Sequence, residues 1–308
     1  MAMQNLGYPK PLYVMPFDHR GSFQEKMFGI KGRQPTAEET KMIASYKDVV
    51  YEGFKEALKA GVPKDRAAIL VDEQFGANCV LDAKKNGIMF CMPSEKSGQD
   101  EFDFEYADKF AEHIEKFSPT FVKVLVRYNP DSEQEMNQRQ TVRLAKLSDY
   151  CKQSNRKFMF ELLVPASKAQ LDQVGGDKKK YDTEMRPDLM QRAIAELQRG
   201  GVEADVWKLE GLEKAEHYKA IVAQARSNGR NQVGMIVLGR GENEEKVRHW
   251  LSVGTNVDGV IGFAVGRTVF WDALAGLKEG KHSRAEASAI VAKNYKGLVD
   301  LFMNSMKQ

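Results

Sequence analysis

The sequence is poor in the features that mark several large classes of protein. It has three cysteines in 308 residues, Cys79, Cys91 and Cys151. None forms a CxxC pair, so we expect ordinary thiols in a reducing compartment. The five histidines are scattered, without zinc-ligand spacing. No apolar run approaches the roughly 18 residues of a membrane span, and residues 1–10 lack the apolar core of a secretion signal. We therefore expect a cytoplasmic protein that needs no metal.

A strong charge of one sign is also missing. The formal net charge is +3 and the sequence pI is about 8.5, which is too mild to indicate nucleic-acid binding but suits an anionic small molecule. With 42% hydrophobic and 29% charged residues, the chain can bury a large core. Neither nucleic acid nor membrane is an expected partner, and a homo-oligomer is an option that the sequence leaves open.

Eight short apolar segments alternate with segments of helical periodicity. The predicted strands are 11–16, 67–71, 88–92, 121–126, 157–164, 205–209, 233–238 and 259–263. A repeat of about 30–40 residues is typical of a (β/α)8 TIM barrel, an α/β fold in which helices surround parallel strands. The alternative is a doubly wound sheet, but no GxGxxG or GxxxxGK[ST] follows the first strand. No linker divides the chain, so we predict one barrel domain over 1–308.

Three segments between the strands have their own signals. Thr36-Ala-Glu-Glu predicts a capped helix start, with the helix running to about Lys59, and the last helix is predicted over 283–306. The polar stretch 167–184 predicts a long mobile loop after the fifth strand. Its lysine run, 178–180, is more typical of a solvated face than of a binding patch.

The predicted sixth strand carries a lysine, Lys208, inside an apolar segment. In an edge strand its ammonium group would lie in water. In a covered strand it would point into the core, where an ammonium group is costly unless it is paired or has lost its proton. A neutral lysine is a nucleophile, so the buried arrangement predicts a reactive amine.

Lys208 is one of several polar residues in or just after the predicted strands. The others are Asp18, Asp72, Glu73, Lys123 and Glu161. Side chains at strand C-termini converge on one mouth of a TIM barrel, and strands four and six share parity, so Lys123 and Lys208 are expected to lie close together. Nearby carboxylates would hold one lysine charged while the other stays neutral. A structural ion pair explains any one of these residues alone, but the set favours a catalytic cluster.

Two glycine-arginine sites follow the last two strands. They are Gly239-Arg240-Gly241 and Gly266-Arg267. The loops after strands seven and eight usually form the phosphate site of a TIM barrel. Glycine lets backbone N–H groups approach a phosphate, and arginine supplies a forked cation. Each dipeptide alone is weak, but the pair predicts a phosphate-binding site.

These residues resemble the class I aldolases related to tagatose 1,6-bisphosphate aldolase. They resemble more closely the aldolase domain of inositol catabolism, which is often fused to a sugar kinase. The segment 12–23, Leu-Tyr-Val-Met-Pro-Phe-Asp-His-Arg-Gly-Ser-Phe, is a hallmark of that branch, and the correspondence covers nearly the whole chain. His19-Arg20 after Asp18 follows the inositol branch, so substrate contacts of the tagatose branch do not carry over. Any kinase is expected to be a separate protein.

The resemblance implies a role for each catalytic candidate. Lys208, in Lys-Leu-Glu, matches the Schiff-base lysine, and Lys123 matches the second lysine on strand four. Glu161 matches the strand-five glutamate, and Asp18 matches the aspartate after strand one. The implied reaction, without cofactor or metal, cleaves 2-deoxy-5-keto-gluconate 6-phosphate to dihydroxyacetone phosphate and malonate semialdehyde.

Several alternatives stay open at this point. The substrate could instead be tagatose bisphosphate or a sulfosugar phosphate, and the protein could be a phosphate-ligand sensor in which Lys208 is only an ion-pair anchor. A metal-dependent aldolase is the least favoured because no zinc site is evident. A keto-acid substrate needs a cation for its carboxylate, and we expect Arg20 or Arg127 to bind it. A surface ion pair is the alternative role for both arginines.

Overall fold

Eight parallel strands pair side by side in sequence order, and the first pairs with the last, so the sheet closes into a barrel. The computed structural model of the protein describes residues 6–305. The strands are β1 Leu12–Pro16, β2 Ala67–Leu70, β3 Met89–Pro93, β4 Phe121–Arg127, β5 Lys157–Leu163, β6 Val206–Glu210, β7 Gly234–Leu238 and β8 Val260–Ala264. The predicted TIM barrel is confirmed, with each strand within a few residues of its expected position.

Helices follow the strands and form the outer layer. Within 6–305 they are α1 Gly21–Phe28, α2 Ala37–Lys59, α3 Glu73–Lys85, α4 Phe110–Phe117, α5 Gln134–Gln153, α6 Lys168–Gln173, α7 Lys178–Lys180, α8 Arg186–Arg199, α9 Ala215–Ala225, α10 Glu244–Gly254, α11 Arg267–Lys278 and α12 Arg284–Ser305. A short 3₁₀ turn, Ala107–Lys109, precedes α4, and a π-helical turn, Tyr181–Met185, joins α7 to α8. The predicted capped start of α2 is confirmed, because Thr36 Oγ1 accepts from Glu39 N at 3.2 Å and Glu39 Oε2 accepts from Thr36 N at 2.7 Å.

Alternation along the strands divides the apolar side chains between two cores. The larger core lies between the strands and the helix ring. The smaller core fills the barrel, and its buried members are Leu12, Val14, Ala68, Leu70, Cys91, Phe121, Met159, Val206, Ile236, Ile261 and Ala264. In three strands the next residue of the same parity, two positions on, is charged. Lys123 follows Phe121, Glu161 follows Met159 and Lys208 follows Val206, so all three point inward above the apolar layer.

The N-terminal end of the barrel is closed by a buried carboxylate. Asp205 Oδ1 accepts from the backbone N–H of Gly7 at 2.7 Å and from Lys157 Nζ at 2.9 Å. Its second oxygen, Oδ2, accepts from the backbone N–H of Phe158 at 2.7 Å. Both carboxylate oxygens are therefore bonded. We call this end of the barrel, at Asp205, the sealed end.

The stretch 167–184 is not the loop expected from the sequence. It contains α6, α7 and most of the π-helical turn, and Ser167 and Gln170 form a capping box that starts α6. Tyr181 is buried, and its hydroxyl donates to the carbonyl of Val164 at 2.9 Å. These local bonds are the physical reason that the stretch is ordered as helix. In α12, helical structure continues to Ser305, and the predicted end at Met306 lies outside the described residues.

None of the helices within 6–305 has both the length and the apolarity that crossing a bilayer requires.

Candidate active site

A cavity of about 240 Å³ opens at the C-terminal end of the barrel. Its lining contains the ten residues to which the sequence analysis assigned a catalytic or substrate-binding role. These are Asp18, Arg20, Lys123, Arg127, Glu161, Lys208, Gly239, Arg240, Gly266 and Arg267. These residues are spread along the chain from Asp18 to Arg267, and the closed barrel brings them together. Their roles stay predictions, and their common location is an observation.

The centre of the cavity floor is the ammonium group of Lys123. Its Nζ donates to Asp18 Oδ2 at 2.9 Å and to Glu95 Oε1 at 2.7 Å, and it lies 2.9 Å from Glu161 Oε2. The residue is only 1% exposed. Burial favours loss of its proton, but the carboxylates of Asp18, Glu161 and Glu95 outweigh burial and raise the pKa of Lys123 well above its ordinary value. The charged form of Lys123 is therefore strongly favoured.

The second lysine, Lys208, lies beside the same glutamate. Lys208 and Glu161 are register partners on neighbouring strands, and Lys208 Nζ is 2.8 Å from Glu161 Oε2. One carboxylate oxygen thus contacts both lysines. Lys208 is 4% exposed, and its amine has no other ion pair among the described residues. The predicted proximity of the two lysines is therefore observed, and they differ in how many carboxylates surround them.

The carboxyl groups around Lys123 do not all titrate alike. Burial would raise the pKa of Asp18 and of Glu161, but the ammonium groups of Lys123 and Lys208 outweigh it and lower both values. For Glu95 the balance is reversed, because burial raises the pKa above its ordinary value despite Lys123 and Arg20. Glu95 Oε2 is buried, with no hydrogen-bond partner among residues 6–305. The pKa of Glu95 therefore moves in the opposite direction to those of Asp18 and Glu161.

Glu95 is a site residue that the sequence reasoning missed. It lies two residues beyond β3. Asp18 is a candidate because polar residues just after a strand lie at the mouth of a TIM barrel, and the same rule applies to Glu95. Applying that rule to strand three would have found it. What the sequence does not reveal is the antiparallel bridge between Glu95 and Phe104, which turns the chain back over the cavity.

Two candidates of the sequence census lie outside this cavity. Asp72 caps the N-terminus of α3, accepting from Phe75 N at 2.9 Å, and forms a buried ion pair with Lys47. Glu73 faces the outside of the barrel, with His113 Nδ1 at 2.7 Å and Lys116 Nζ at 2.6 Å. The expectation that these two carboxylates join the catalytic mouth is wrong, because the helix that begins at strand two's end directs them elsewhere.

The two arginines considered for a substrate carboxylate are engaged to different degrees. Arg20 is 8% exposed; its Nη1 donates to Glu105 Oε2 at 2.9 Å and its Nη2 to the carbonyl of Glu95 at 2.6 Å. The side chain of Arg127 is 36% exposed and donates to the carbonyl of Gln99 at 2.7 Å. Its nearest carboxylate, Asp100, is 3.8 Å away and almost fully exposed. Arg127 is therefore the more available cation.

The loops after β7 and β8 meet around the guanidinium of Arg267. Arg267 Nη2 donates to the carbonyl of Arg240 at 2.8 Å. Gly241 has a φ of 78°, in the left-handed region that favours glycine, and a Cβ there would lie 2.4 Å from Arg267 Cζ and displace the guanidinium. Gly266 is equally constrained, because a Cβ there would lie 2.2 Å from the carbonyl oxygen of Pro16. The helix α11 begins at Arg267 and directs its N-terminus to the cavity.

Arg240 is tied to neighbouring carboxylates. Its Nη1 lies 2.6 Å from Asp182 Oδ2, in the π-helical turn, and its Nε lies 3.1 Å from Glu210 Oε1. Arg186 joins the same group, 3.3 Å from Glu210 and 3.2 Å from Asp182. The stretch predicted as a mobile loop thus reaches the cavity rim through Asp182. Of the two loop arginines, Arg267 has no carboxylate partner within 4.0 Å in the described part of the chain.

His19 lines the cavity next to Asp18, and its Nδ1 is buried without a hydrogen-bond partner among the described residues. Burial lowers the pKa of His19 to about 4; the cations of Arg267 and Lys208 add to this effect, and Asp18 opposes it. The imidazole is therefore neutral at neutral pH. Across 6–305, no three histidine, cysteine, aspartate or glutamate side chains are grouped so that they could hold a metal ion.

The barrel is the fold of several solved aldolases. The fructose-bisphosphate aldolase from Plasmodium falciparum, solved in complex with TRAP and a small-molecule inhibitor, has a TM-score of 0.64 at 13% identity, over 98% of this chain and 93% of that one. A Schiff-base-forming fructose-1,6-bisphosphate aldolase gives 0.55 at 12%, over 94% of each chain. The YdjI aldolase from Escherichia coli K12 gives 0.54 at 13%, over 97% of this chain and 93% of that one. At these identities the similarity establishes a TIM barrel.

The family is established by the sequence itself. Residues 4–306 match the model of the family described as "Uncharacterized protein conserved in bacteria (DUF2090)", so the chain belongs to that family. No curated protein matches the chain at the level of sequence.

Proposed function

We propose that the protein is a class I aldolase that cleaves a phosphorylated keto-sugar acid through a Schiff base on Lys208. The observation that carries this proposal is the shared oxygen Glu161 Oε2, which lies 2.8 Å from Lys208 Nζ and 2.9 Å from Lys123 Nζ inside the cavity. A nucleophile, a cation and a base in contact are the groups that retro-aldol cleavage by an amine requires.

Lys208 is the better nucleophile of the two lysines. Lys123 is within 2.9 Å of three carboxyl groups, which hold its proton and occupy its donors. A protonated amine has no lone pair with which to attack a ketone. Lys208 contacts one carboxylate, so it can transfer its proton and approach a carbonyl carbon in the cavity.

The reaction follows from these positions. The neutral amine of Lys208 attacks the ketone, and the carbinolamine loses water to give an iminium ion. Lys123 and Asp18 orient the departing hydroxyl group, which leaves as water with the proton that Lys208 gave up. Glu161 then takes the proton of the substrate hydroxyl as the C–C bond breaks, and the bonding electrons move into the iminium to form an enamine. The buried setting strengthens each of these electrostatic contacts.

The related barrels support this chemistry. Two of them are named fructose-bisphosphate aldolases, and one is named as Schiff-base-forming. The resemblance of 12–23 to the aldolase domain of inositol catabolism favours 2-deoxy-5-keto-gluconate 6-phosphate, with dihydroxyacetone phosphate and malonate semialdehyde as products.

The charges of the cavity fit a substrate with an anion at each end. Arg267, Gly241 and the start of α11 form a cationic site at loops seven and eight, which suits the phosphate. Arg127 is an available cation on β4, which suits the carboxylate. Arg20 is less suited to that role because Glu105 and the Glu95 carbonyl already occupy its Nη atoms.

The direct test is reduction with borohydride in the presence of dihydroxyacetone phosphate, followed by peptide mass mapping. We expect one reduced triose adduct, on Lys208, and none in Lys208→Ala. Excess EDTA should leave cleavage intact. An adduct on Lys123 would reverse the two lysine roles, and no adduct in the wild type would favour a phosphate-ligand sensor. Activity lost to EDTA and restored by zinc would exclude the class I assignment.

The substrate is tested at Arg127. Arg127→Ala should weaken transition-state binding of the keto-acid phosphate by about 1.5–3 kcal/mol, the usual contribution of a hydrogen bond to a charged group. Cleavage of a ketose 1-phosphate with an uncharged tail should barely change, because it offers no carboxylate. Arg139→Ala, an exposed arginine paired with Glu101, is the control. Equal losses on both substrates would argue for tagatose bisphosphate or a sulfosugar phosphate instead.

A further inference from the structure

We propose that Glu95 is a catalytic residue that delivers a proton to the enamine carbon after C–C cleavage, and that Lys123 reloads Glu95 with the proton Glu161 took from the substrate. This inference rests on the proposed aldolase function. The mechanism above leaves an enamine on Lys208, and releasing the product requires one proton on carbon. None of the roles of Lys208, Glu161, Asp18 and Lys123 supplies it.

Glu95 is held rigidly against the cavity. Backbone hydrogen bonds fix the residues on both sides of Glu95. Ser94 N donates to the carbonyl of Lys123 at 2.8 Å, and Lys96 N donates to the carbonyl of Asp103 at 3.0 Å. Its own carbonyl accepts from Arg20 Nη2 at 2.6 Å. The residue is 7% exposed and lines the same cavity as Lys208. A residue positioned from both sides in this way is suited to proton transfer, which depends on geometry.

The charges of the cluster leave one carboxyl group in excess. Asp18, Glu95 and Glu161 surround the single ammonium group of Lys123, and the guanidinium of Arg20 is shared with Glu105. When Lys208 is neutral, three buried carboxylates would face too few cations. Glu95 is the member with an oxygen, Oε2, that has no partner among the described residues. An ionised carboxylate oxygen without a donor is costly in a buried site, so Glu95 is the group that holds a proton.

The titration of the neighbours agrees with this assignment. The pKa values of Asp18 and Glu161 are lowered, mainly by Lys123 acting against burial, while burial raises the pKa of Glu95. His19 is not an alternative donor, because burial lowers its pKa to about 4 and leaves the imidazole neutral. Glu95 is thus the carboxyl group of this cluster that burial biases toward its protonated form.

The proton balance of the step closes without another reactant. Glu161 takes the substrate's hydroxyl proton as the C–C bond breaks. Glu95 gives its own proton to the enamine carbon, which restores the iminium, and becomes a carboxylate. Lys123 then passes a proton to Glu95 Oε1, at 2.7 Å, and receives the one on Glu161 Oε2, at 2.9 Å. The cluster returns to its starting state, and the proton has moved from oxygen to carbon.

The test measures proton exchange separately from Schiff-base formation. Dihydroxyacetone phosphate is incubated with the protein in D₂O, and loss of the hydroxymethyl C–H signal beside the carbonyl is followed by NMR. By microscopic reversibility, Glu95 also removes this proton from the iminium. We expect Glu95→Gln to slow exchange by about 10²-fold or more, the usual contribution of one general acid–base group, while borohydride still traps the triose on Lys208. Glu73→Gln, a carboxylate at the same barrel end that lies outside the cavity, should exchange like the wild type.

The outcomes separate this inference from the proposed function. Trapping with normal exchange in Glu95→Gln would overturn the role of Glu95 and leave the aldolase assignment standing. Trapping lost in Glu95→Gln but present in the wild type would also overturn it, since Glu95 would then act before the enamine forms. Absence of trapping in the wild type would instead refute the aldolase itself. Circular dichroism of Glu95→Gln verifies that the variant is folded.

Discussion

Each end of the barrel contains a lysine–carboxylate pair, and the two pairs differ in their surroundings. At the N-terminal end, Lys157 and Asp205 are 2.9 Å apart, and both Asp205 oxygens are also bonded to backbone N–H groups. At the C-terminal end, Lys208 and Glu161 are 2.8 Å apart, next to a cavity and a second lysine. In the first pair both carboxylate oxygens are bonded, and in the second the amine lines a cavity.

Under the proposed function, this difference distinguishes a structural ion pair from a reactive one. A buried carboxylate with every oxygen satisfied stabilises the fold and has nothing left to offer a ligand. At the cavity, Glu95 Oε2 and His19 Nδ1 lack partners within 6–305, and one glutamate oxygen contacts two amines. Unsatisfied buried groups cost stability, and they concentrate at sites where a substrate supplies the missing partner.

The largest expected effect separates the two lysines directly. Lys208→Met should lower kcat by at least about 10⁴-fold, because the covalent step has no other nucleophile. Lys157→Met removes the matching lysine at the sealed end and should leave kcat close to the wild-type value. Both rates are measured on the keto-acid phosphate. Similar losses in the two variants would mean that Lys208, too, acts only through the fold.

The next effect concerns Glu161, the carboxylate of the pair at the cavity. Glu161→Gln should lower kcat by about 10²–10⁴-fold, the range of a lost general base, while borohydride still traps dihydroxyacetone phosphate on Lys208. The reason is that Glu161 acts on the bond-breaking step and not on the amine. Single-turnover kinetics with mass mapping distinguish the two steps. Normal turnover in this variant would make Asp18 the next candidate for the base.

A smaller effect is expected at the sealed end, on stability and not on rate. Asp205→Ala leaves two backbone N–H groups and Lys157 without this carboxylate, so the free energy of unfolding should fall by about 2–3 kcal/mol. The rate per folded molecule should be unchanged. Urea denaturation measures the first quantity, and activity normalised to folded protein measures the second. A rate loss at full folding would show that the two ends are coupled.

Sequence alone predicted the parts of the site that strands position. The apolar alternation of β4, β5 and β6 fixes the parity of Lys123, Glu161 and Lys208, so their convergence follows once the barrel is recognised. The alternation of inward and outward side chains ends where the strand ends. Beyond it, the direction of a side chain depends on helix caps and bridges between distant segments.

That limit explains the misplacement of Asp72 and Glu73 and the omission of Glu95. Asp72 follows β2 as Asp18 follows β1, but Asp72 caps α3 and pairs with Lys47 on α2, a contact across 25 positions that no local pattern reveals. Glu95 enters the cavity through its bridge to Phe104 and its bond to Arg20. The stretch 167–184 did carry a local signal, the Ser167–Gln170 capping box, which its polar composition concealed.

The smallest expected effect uses pH to detect an unsatisfied group at the cavity. The pKa of His19 is lowered from 6.5 to about 4, by burial first, so the unfolded chain takes up a proton before the folded protein does. Stability should therefore fall as pH decreases from about 6.5 to 4, relative to a variant without this histidine. Over that window, we expect the free energy of unfolding of His19→Gln to fall by about 1–2 kcal/mol less than that of the wild type. This figure allows for the partial exposure of the ring. Urea denaturation of both proteins at several pH values gives the difference. Parallel curves would mean that His19 is protonated equally easily in the folded and the unfolded protein. That result would contradict the lowered pKa of His19 in the folded protein.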